Sequence, residues 1–192
     1  MAFMHPEKPG TRILGIAESF RGSGRSILAG IVMRRDRRID GAAVETITVG
    51  GMDATDAIIR LYEALNRSDI NLILISGAAI AWYNIINPDV ISQTTDRPVI
   101  IITYEESDGL CDTLQQHFPG DSERFRAYKA LGDRDTVHLH TGHTIYLRRS
   151  GITLDMAEQI INQITLDGKV PEPVRVARLI ARSVMRSSQT GI

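Results

Sequence analysis

The feature that most constrains the fold is a continuously apolar run at residues 72–75, bounded by Asn71 and Ser76. A run of this length without polar alternation is typical of a strand buried on both faces, as strands of parallel sheets usually are. A short predicted helix at residues 88–93 leads to a second apolar strand at residues 98–102. Because such crossovers join parallel strands with a right-handed turn, we expect this half of the sheet to be parallel.

The residues before this run predict an antiparallel meander and one amphipathic helix. Short polar links separate three β-branched stretches, at residues 13–16, 27–33 and 44–49. Such links favour three consecutive antiparallel strands. Apolar residues then recur at helical spacing over residues 54–65, after a cap at Asp53 or Thr55. The predicted core is therefore a mixed α/β sheet of order β-β-β-α-β-α-β.

The rest of the chain predicts additional C-terminal helices. We place helices at residues 107–117, 122–131, 153–166 and 172–186, with a hairpin around residues 141–142. A chain of 192 residues without repeats or an obvious linker has the size of one domain. We assign that domain to residues 12–188 and a flexible N-terminal tail to residues 1–11.

The overall charge gives no indication of a polyanionic partner. The net charge is −1 and the sequence pI is about 6.5, so nucleic-acid binding requires a local basic patch. The single cysteine, Cys111, excludes an internal disulfide framework and a multi-cysteine zinc site, and fits a cytoplasmic protein. No segment approaches the roughly 20 apolar residues of a membrane span, so we expect no membrane partner. A homo-oligomer is compatible with this sequence.

The last predicted helix carries a stripe of arginines. Arg175, Arg178, Arg182 and Arg186 follow one another at helical spacing, which places their side chains along one side of the helix. The planar guanidinium group pairs well with phosphate oxygens, so this stripe is a candidate contact with a nucleic-acid backbone. A solvated helix face is the alternative explanation.

Polar and aromatic residues follow the buried strand that ends at Ser76. Open α/β sheets bind ligands at such strand ends. Asn84 is a candidate contact because an amide beside a crevice must pair with the backbone or face a ligand. Trp82 and Tyr83 are candidates for stacking on a base, and filling of the core is the alternative explanation for both rings.

Three weaker patterns have structural explanations that we favour. Residues 19–26 resemble a phosphate-binding loop but lack its first glycine and its lysine, and precede a strand instead of a helix. His138, His140 and His143 have spacing compatible with zinc, but also with a polar hairpin. The basic residues at 34–38 fit a solubilising turn, with a second phosphate contact as the alternative.

Four stretches carry a family resemblance: residues 13–16 with Phe20, residues 49–55, residues 76–77 with 83–85, and residues 171–177. Over about residues 13–181, the sequence resembles the archaeal family known as domain of unknown function 99, a relative of endonuclease V. The resemblance implies a ribonuclease-H-like, endonuclease V-like mixed sheet with extra C-terminal helices. It also implies metal-dependent cleavage of DNA near deaminated bases such as deoxyuridine, with Mg²⁺ or Mn²⁺.

The sequence departs from the family pattern where the chemistry is expected. That pattern has paired aspartates at Ala17 and Glu18, aspartates at Gly50 and Ser76, and a histidine at Arg178. Glu18 alone keeps a carboxylate, as a residual catalytic candidate. Asp53 and Glu172 are further candidate metal ligands. Because a pair of Mg²⁺ ions needs several carboxylate oxygens, the remaining set predicts little or no hydrolysis.

Three functions follow from these observations. The first is a nucleic-acid-binding protein, on DNA or RNA, that contacts its ligand through Asn84, Arg175, Arg178 and Arg182 and has little or no hydrolytic activity. The second is an active endonuclease that uses Mg²⁺ or Mn²⁺ on DNA with deaminated bases. The third is a protein interaction module, which would present a large apolar surface patch.

Overall fold

The computed structural model describes residues 10–22, 24–107 and 109–189. In chain order the elements are β1 (Arg12–Ser19), β2 (Arg25–Arg34), β3 (Ile39–Thr48), α1 (Ala54–Leu65), β4 (Leu72–Ser76), β5 (Ala79–Ile80), β6 (Asn84–Ile85), α2 (Pro88–Thr95), β7 (Val99–Thr103), α3 (Cys111–His117), α4 (Ser122–Ala130), β8 (Asp135–His138), β9 (Thr144–Ser150), α5 (Leu154–Ile164) and α6 (Glu172–Gln189).

Within the described chain, seven strands form one mixed sheet of order β3-β2-β1-β4-β7-β9-β8. β1, β4 and β7 are parallel, and β2 and β3 extend the sheet as an antiparallel meander. β9 and β8 add an antiparallel hairpin at the other edge. The predicted order is therefore confirmed for the elements β1, β2, β3, α1, β4, α2 and β7, as is the parallel pairing of β4 and β7.

Helices cover both faces of the sheet. The predicted apolar stripe of α1 is buried on one face together with Ile91 of α2. α5 and α6 pack on the other face, where Ala157, Val174 and Ala177 are fully buried. Along β1 the side chains alternate between these faces, so Ile16 faces α1 while Ala17 faces the α5 and α6 side.

A close approach between β1 and α6 fixes the position of the last helix. A Cβ atom at Gly15 would lie 2.4 Å from the carbonyl carbon of Pro173, which is backbone and has no other rotamer to adopt. Only glycine permits this separation. The first turn of α6 is thereby held against the middle of β1, close to the candidate site.

Three details differ from the sequence-based expectation. Residues 1–9 of the expected flexible tail lie outside the described residues, but Thr11 is buried and its carbonyl accepts a hydrogen bond of 2.9 Å from the Arg35 amide. α3 begins at Cys111 instead of residue 107, because Gly109 has a left-handed φ of 107° that interrupts a helix. The short β5–β6 hairpin was not predicted.

Candidate functional site

Three of the four positions at which the family resemblance implies a different residue lie together, two at the carboxyl ends of β1 and β4 and one on α6. Ile16 pairs with Ile75 in the parallel register, so Ala17 and Ser76 follow as neighbours. The Ser76 hydroxyl accepts a hydrogen bond of 3.0 Å from Arg178 on α6. Ala17, Ser76 and Arg178, which we call the strand-end group, therefore lie on the α6 side of the sheet.

Tyr104 extends the strand-end group. The guanidinium carbon of Arg178 lies 5.5 Å from the centre of the Tyr104 ring. Within the described chain, the buried Tyr104 hydroxyl has no hydrogen bond of ordinary geometry. Burial raises the pKa of this hydroxyl, although nearby Ser76 and Arg178 oppose the increase. Together with Tyr104, the strand-end group thus presents a methyl group, a hydroxyl, a phenol and a cation.

Glu18 points away from the strand-end group. Successive side chains of a strand face opposite sides of the sheet, so Glu18 lies on the side opposite to Ala17. Its carboxylate accepts hydrogen bonds from the Ser26 hydroxyl at 2.7 Å and from the Ala81 amide at 3.4 Å. The Glu18 carboxylate therefore lies on the opposite face from Ala17, the position where the resemblance implies an aspartate.

Gly50, the fourth of these positions, where the resemblance implies an aspartate, lies in the loop after β3. It has a φ of 72°, and its amide donates a hydrogen bond of 2.8 Å to the Ala81 carbonyl. A Cβ atom at this position would lie 3.6 Å from the indole of Trp82 and 3.7 Å from the ring of Phe118. A carboxylate side chain here would need a strained backbone and would start against two aromatic rings.

Asn84 and Asp53 form a buried network that holds the start of α1. The fully buried Asn84 amide accepts from the Ala54 amide at 2.9 Å and donates to the Thr48 carbonyl at 3.0 Å and to Asp53 at 2.6 Å. Asn84, and not the Asp53 or Thr55 side chain, thus bonds the first amide of this helix. These contacts occupy the Asn84 amide within the protein.

The Asp53 carboxylate also accepts hydrogen bonds from the amide and the hydroxyl of Thr48. Burial alone would raise the pKa of Asp53, but the hydrogen bonds from Asn84 and Thr48 outweigh it and lower the pKa below the usual 3.8. All of these contacts favour the ionised carboxylate in a structural role.

Because the pKa of Asp53 is lower in the folded state, its contribution to stability is expected to be present above pH 4 and to disappear at lower pH. We expect Asp53→Asn to lower the free energy of unfolding by about 1–2 kcal/mol at pH 7, as expected for the loss of charge-assisted hydrogen bonds. Urea unfolding at pH 7 and pH 3 measures this difference between the two proteins. A difference that is equal at both values would contradict the assignment.

The arginine stripe of α6 lies next to the face of this helix that packs against the sheet. Val174, Ala177, Ala181 and Met185 face the sheet. Arg178 lies at the border of this surface and reaches Ser76, whereas the Arg182 and Arg186 side chains are exposed. The predicted stripe therefore has one end at the strand-end group and continues along the protein surface.

Arg175 and Glu172 form an ion pair in the first turn of α6. The Arg175 Nε donates to Glu172 Oε1 at 2.9 Å, and a second hydrogen bond joins the guanidinium to Oε2. These hydrogen bonds raise the pKa of Arg175. The Arg175 side chain is half exposed, but Glu172 is buried. The only acid in this part of α6 is thus already bound to a cation.

Arg124 is a central residue that the sequence did not indicate. It is 5% exposed and donates hydrogen bonds to the carbonyls of Gly50, Gly51 and Tyr83 at 2.8, 2.9 and 2.5 Å. Its Nε also pairs with Asp121 at 3.0 Å. Arg124 therefore joins α4 to the loop after β3 and to the loop that carries Trp82 and Tyr83. No local pattern in the sequence marks a helical arginine for such distant acceptors.

A cleft of about 370 Å³ opens beside Ser76 and is lined in part by Tyr104, Tyr128, Arg134 and Arg148. Burial lowers the pKa of Arg148, although Tyr128 opposes the decrease. Arg134 donates to the carbonyls of Glu105 and Ser107. The strand-end group therefore borders a cleft lined by two further arginines and by the acidic residue Glu105.

The side chains at the strand-end group do not fit a pair of divalent cations. Mg²⁺ and Mn²⁺ prefer carboxylate and other oxygen ligands, whereas Arg178 places a positive charge there. Across residues 10–22, 24–107 and 109–189, no three His, Cys, Asp or Glu side chains are grouped so that they could hold a metal ion. His138 and His140 instead contact Thr144 and Asn162, respectively.

Comparisons with known proteins agree with this architecture. The sequence model of a family described as Endonuclease dU matches residues 9–185. A UPF0215 protein of Pyrobaculum calidifontis is 36% identical over 173 residues, which is 89% of this chain and 95% of the relative. None of the described helices is both long enough and apolar enough to span a membrane.

Two solved structures have the same fold. A protein of unknown function from Archaeoglobus fulgidus is 24% identical, with a TM-score of 0.79 over 91% of this chain and 98% of that one. Ciona intestinalis endonuclease V, in complex with a 24mer DNA containing an inosine followed by a ribo-adenosine, is 10% identical, with a TM-score of 0.62 over 92% and 87% of the chains. The predicted ribonuclease-H-like, endonuclease V-like fold is confirmed.

Proposed function

The chain belongs to the Endonuclease dU family, and we propose that it is a member that binds nucleic acid with little or no hydrolysis. The observation that carries this proposal is the contact between Arg178 and Ser76. The Arg178 guanidinium lies among the positions at which the family resemblance implies metal-binding aspartates and a histidine. The same group is well suited to a phosphate of the nucleic-acid backbone.

The surface around this contact supports the proposal. Arg182 continues from Arg178 along the exposed side of α6, and Arg134 and Arg148 lie in the cleft on the other side of Ser76. The similar endonuclease V from Ciona intestinalis has been seen with DNA. We propose that Arg178 and Arg182 contact phosphates, with Arg175 as a further contact whose charge is partly neutralised by Glu172. Contact between Asn84 and nucleic acid stays a prediction, and it is not supported by the hydrogen bonds that occupy the Asn84 amide within the protein.

Removal of Arg178 or Arg182 is expected to weaken nucleic-acid binding. Each alanine variant should bind a labelled duplex about tenfold less tightly, and the slope of log affinity against log salt should decrease by about 1 for each lost phosphate contact. Fluorescence anisotropy at several salt concentrations measures both quantities. Arg178→Lys should retain most of the affinity because it keeps the charge.

Arg60→Ala provides a matched control, because Arg60 is an exposed arginine on α1, on the other side of the sheet, where it pairs with Glu45 at 3.3 Å. The affinity of the Arg60→Ala variant for the duplex, and the dependence of that affinity on salt, should equal those of the original protein. Absence of binding, binding that does not respond to salt, or equal losses in all three alanine variants would each contradict the proposed interface.

An active endonuclease is the second candidate function, and the family description favours it. It would require Glu18, Asp53 and Glu172 to hold Mg²⁺ or Mn²⁺. Glu18 lies on the opposite side of the sheet from the strand-end group, Asp53 accepts hydrogen bonds from Thr48 and Asn84, and Glu172 is paired with Arg175. These three carboxylates are engaged in separate places, so we favour binding over hydrolysis.

A further inference from the structure

Trp82 is a large aromatic side chain at the surface. It is 46% exposed, and it is the single tryptophan of the chain. Its ring makes edge contacts with Tyr83 and His117, with ring centres 5.4 and 5.0 Å apart, and Tyr83 stacks on His117. The rings of Trp82, Tyr83 and His117, which we call the aromatic cluster, thus support one another while one indole remains open to solvent.

The backbone that presents Trp82 has an unfavourable conformation. Ala81, Trp82 and Tyr83 have φ angles of 43°, 61° and 63°, and three consecutive left-handed residues without glycine are strained. Contacts from outside the loop hold this conformation. The Ala81 carbonyl accepts from Gly50 at 2.8 Å, and the Tyr83 carbonyl accepts from Arg124 at 2.5 Å.

The aromatic cluster adjoins the candidate site. Trp82 and Phe118 lie next to Gly50, one of the replaced family positions. The Ala81 amide donates to Glu18, the neighbour of Ala17 on β1. The loop that carries Trp82 begins after Ser76 and the short strand β5. The exposed ring therefore lies at the same end of the sheet as the strand-end group, but on the α1 side, because Ala81 packs in the core of that side.

We propose that Trp82 stacks on an unpaired base of the bound nucleic acid. This inference rests on the proposed function and specifies its substrate as a single strand or a duplex with an open base. Stacking on an aromatic ring requires a π-face from the base but no particular hydrogen bonds. An indole that is held in place by contacts with Tyr83 and His117 is suited to this role, because little side-chain freedom is lost on binding. Phosphate contacts by Arg178 and Arg182 would supply the electrostatic part of the affinity.

The single tryptophan makes the proposal directly measurable. Addition of an oligothymidylate to the original protein should quench the intrinsic fluorescence, with the same midpoint as the anisotropy of the labelled oligonucleotide. Trp82→Ala should bind that single strand about tenfold less tightly. Trp82→Phe should retain most of the affinity, and neither variant should change the salt slope, because no phosphate contact is lost.

Val90→Ala is the matched control, because Val90 is a 40% exposed apolar residue on α2. It should leave the affinity unchanged, and thermal unfolding verifies that each variant is folded. The stacking role would be overturned if the oligonucleotide bound without changing the Trp82 fluorescence and bound Trp82→Ala as tightly as the original protein. The proposed function would then remain intact. Absence of all binding would overturn both. If the fluorescence instead changed with protein concentration in the absence of nucleic acid, Trp82 would contact a second copy of this protein. That result would also overturn the proposal.

Discussion

Arg124→Ala is expected to lower the free energy of unfolding by about 4 kcal/mol, because a buried guanidinium group that donates to three loop carbonyls is lost and those carbonyls are left without their donor. The variant would lose the Asp121 pair and leave three carbonyls, those of Gly50, Gly51 and Tyr83, without the guanidinium group. For a domain of this size, such a loss corresponds to a decrease in Tm of roughly 10 °C or more. Calorimetry or urea unfolding measures the effect.

Arg126→Ala is the control for this experiment. Arg126 lies on the same helix and is exposed, and its Nε donates to the Ser122 carbonyl within α4 at 3.2 Å. Its removal should change the unfolding free energy by less than about 0.5 kcal/mol. Similar stabilities for the two variants would show that Arg124 does not hold the loops at residues 50–51 and 81–83.

The second large effect is a gain of metal binding. The triple variant Ala17→Asp, Ser76→Asp, Arg178→His should bind Mn²⁺ at least tenfold more tightly than the original protein. Positions 17 and 76 are neighbours on adjacent parallel strands, about 5 Å apart across the sheet. Two carboxylates and an imidazole would then face one point, and the guanidinium charge that opposes a cation would be absent. Isothermal titration calorimetry with Mn²⁺ measures the change.

The double variant Ala17→Asp, Ser76→Asp tests the reason for this gain. It keeps Arg178, whose guanidinium contacts position 76 and would pair with the new carboxylates. Mn²⁺ binding should therefore be much weaker than in the triple variant. Equal Mn²⁺ affinities for the double and triple variants would contradict the role that we assign to the Arg178 charge.

The sequence contained enough information to predict the sheet. The apolar runs that become β4 and β7 are too short for helices and too apolar for exposed strands, so their burial and parallel order followed. The stripe of α1 was equally clear, because Ala57, Ile58 and Leu61 repeat at helical spacing. These features depend on neighbours in the sequence.

The surroundings of the polar residues could not be predicted in the same way. The partners of the buried Asn84 amide, Thr48, Asp53 and Ala54, come from the end of β3, the loop after it and the start of α1, 30 to 36 residues earlier in the chain. Arg124 acts on loops that are 41 to 74 residues away. The left-handed backbone at residues 81–83 contains no glycine that would have indicated it. Such contacts depend on the folded topology and not on local pattern.

Glu18 illustrates the limit most clearly. The sequence presents it as the retained acid, next to Ala17. In the sheet, one position along a strand reverses the direction of the side chain, and Glu18 contacts Ser26 and Ala81 on the other side. Whether two carboxylates can share one site thus depends on the face of the sheet on which each one lies, and a count of carboxylates in the sequence does not give this.

The most direct test of the account is cleavage of a labelled duplex that contains deoxyuridine, with protein below substrate concentration and either Mn²⁺ or a chelator present. We expect the duplex to bind with equal affinity under both conditions and to remain uncut. Many turnovers that require Mn²⁺ and are lost in Glu18→Gln would contradict the proposal that this protein binds nucleic acid with little or no hydrolysis.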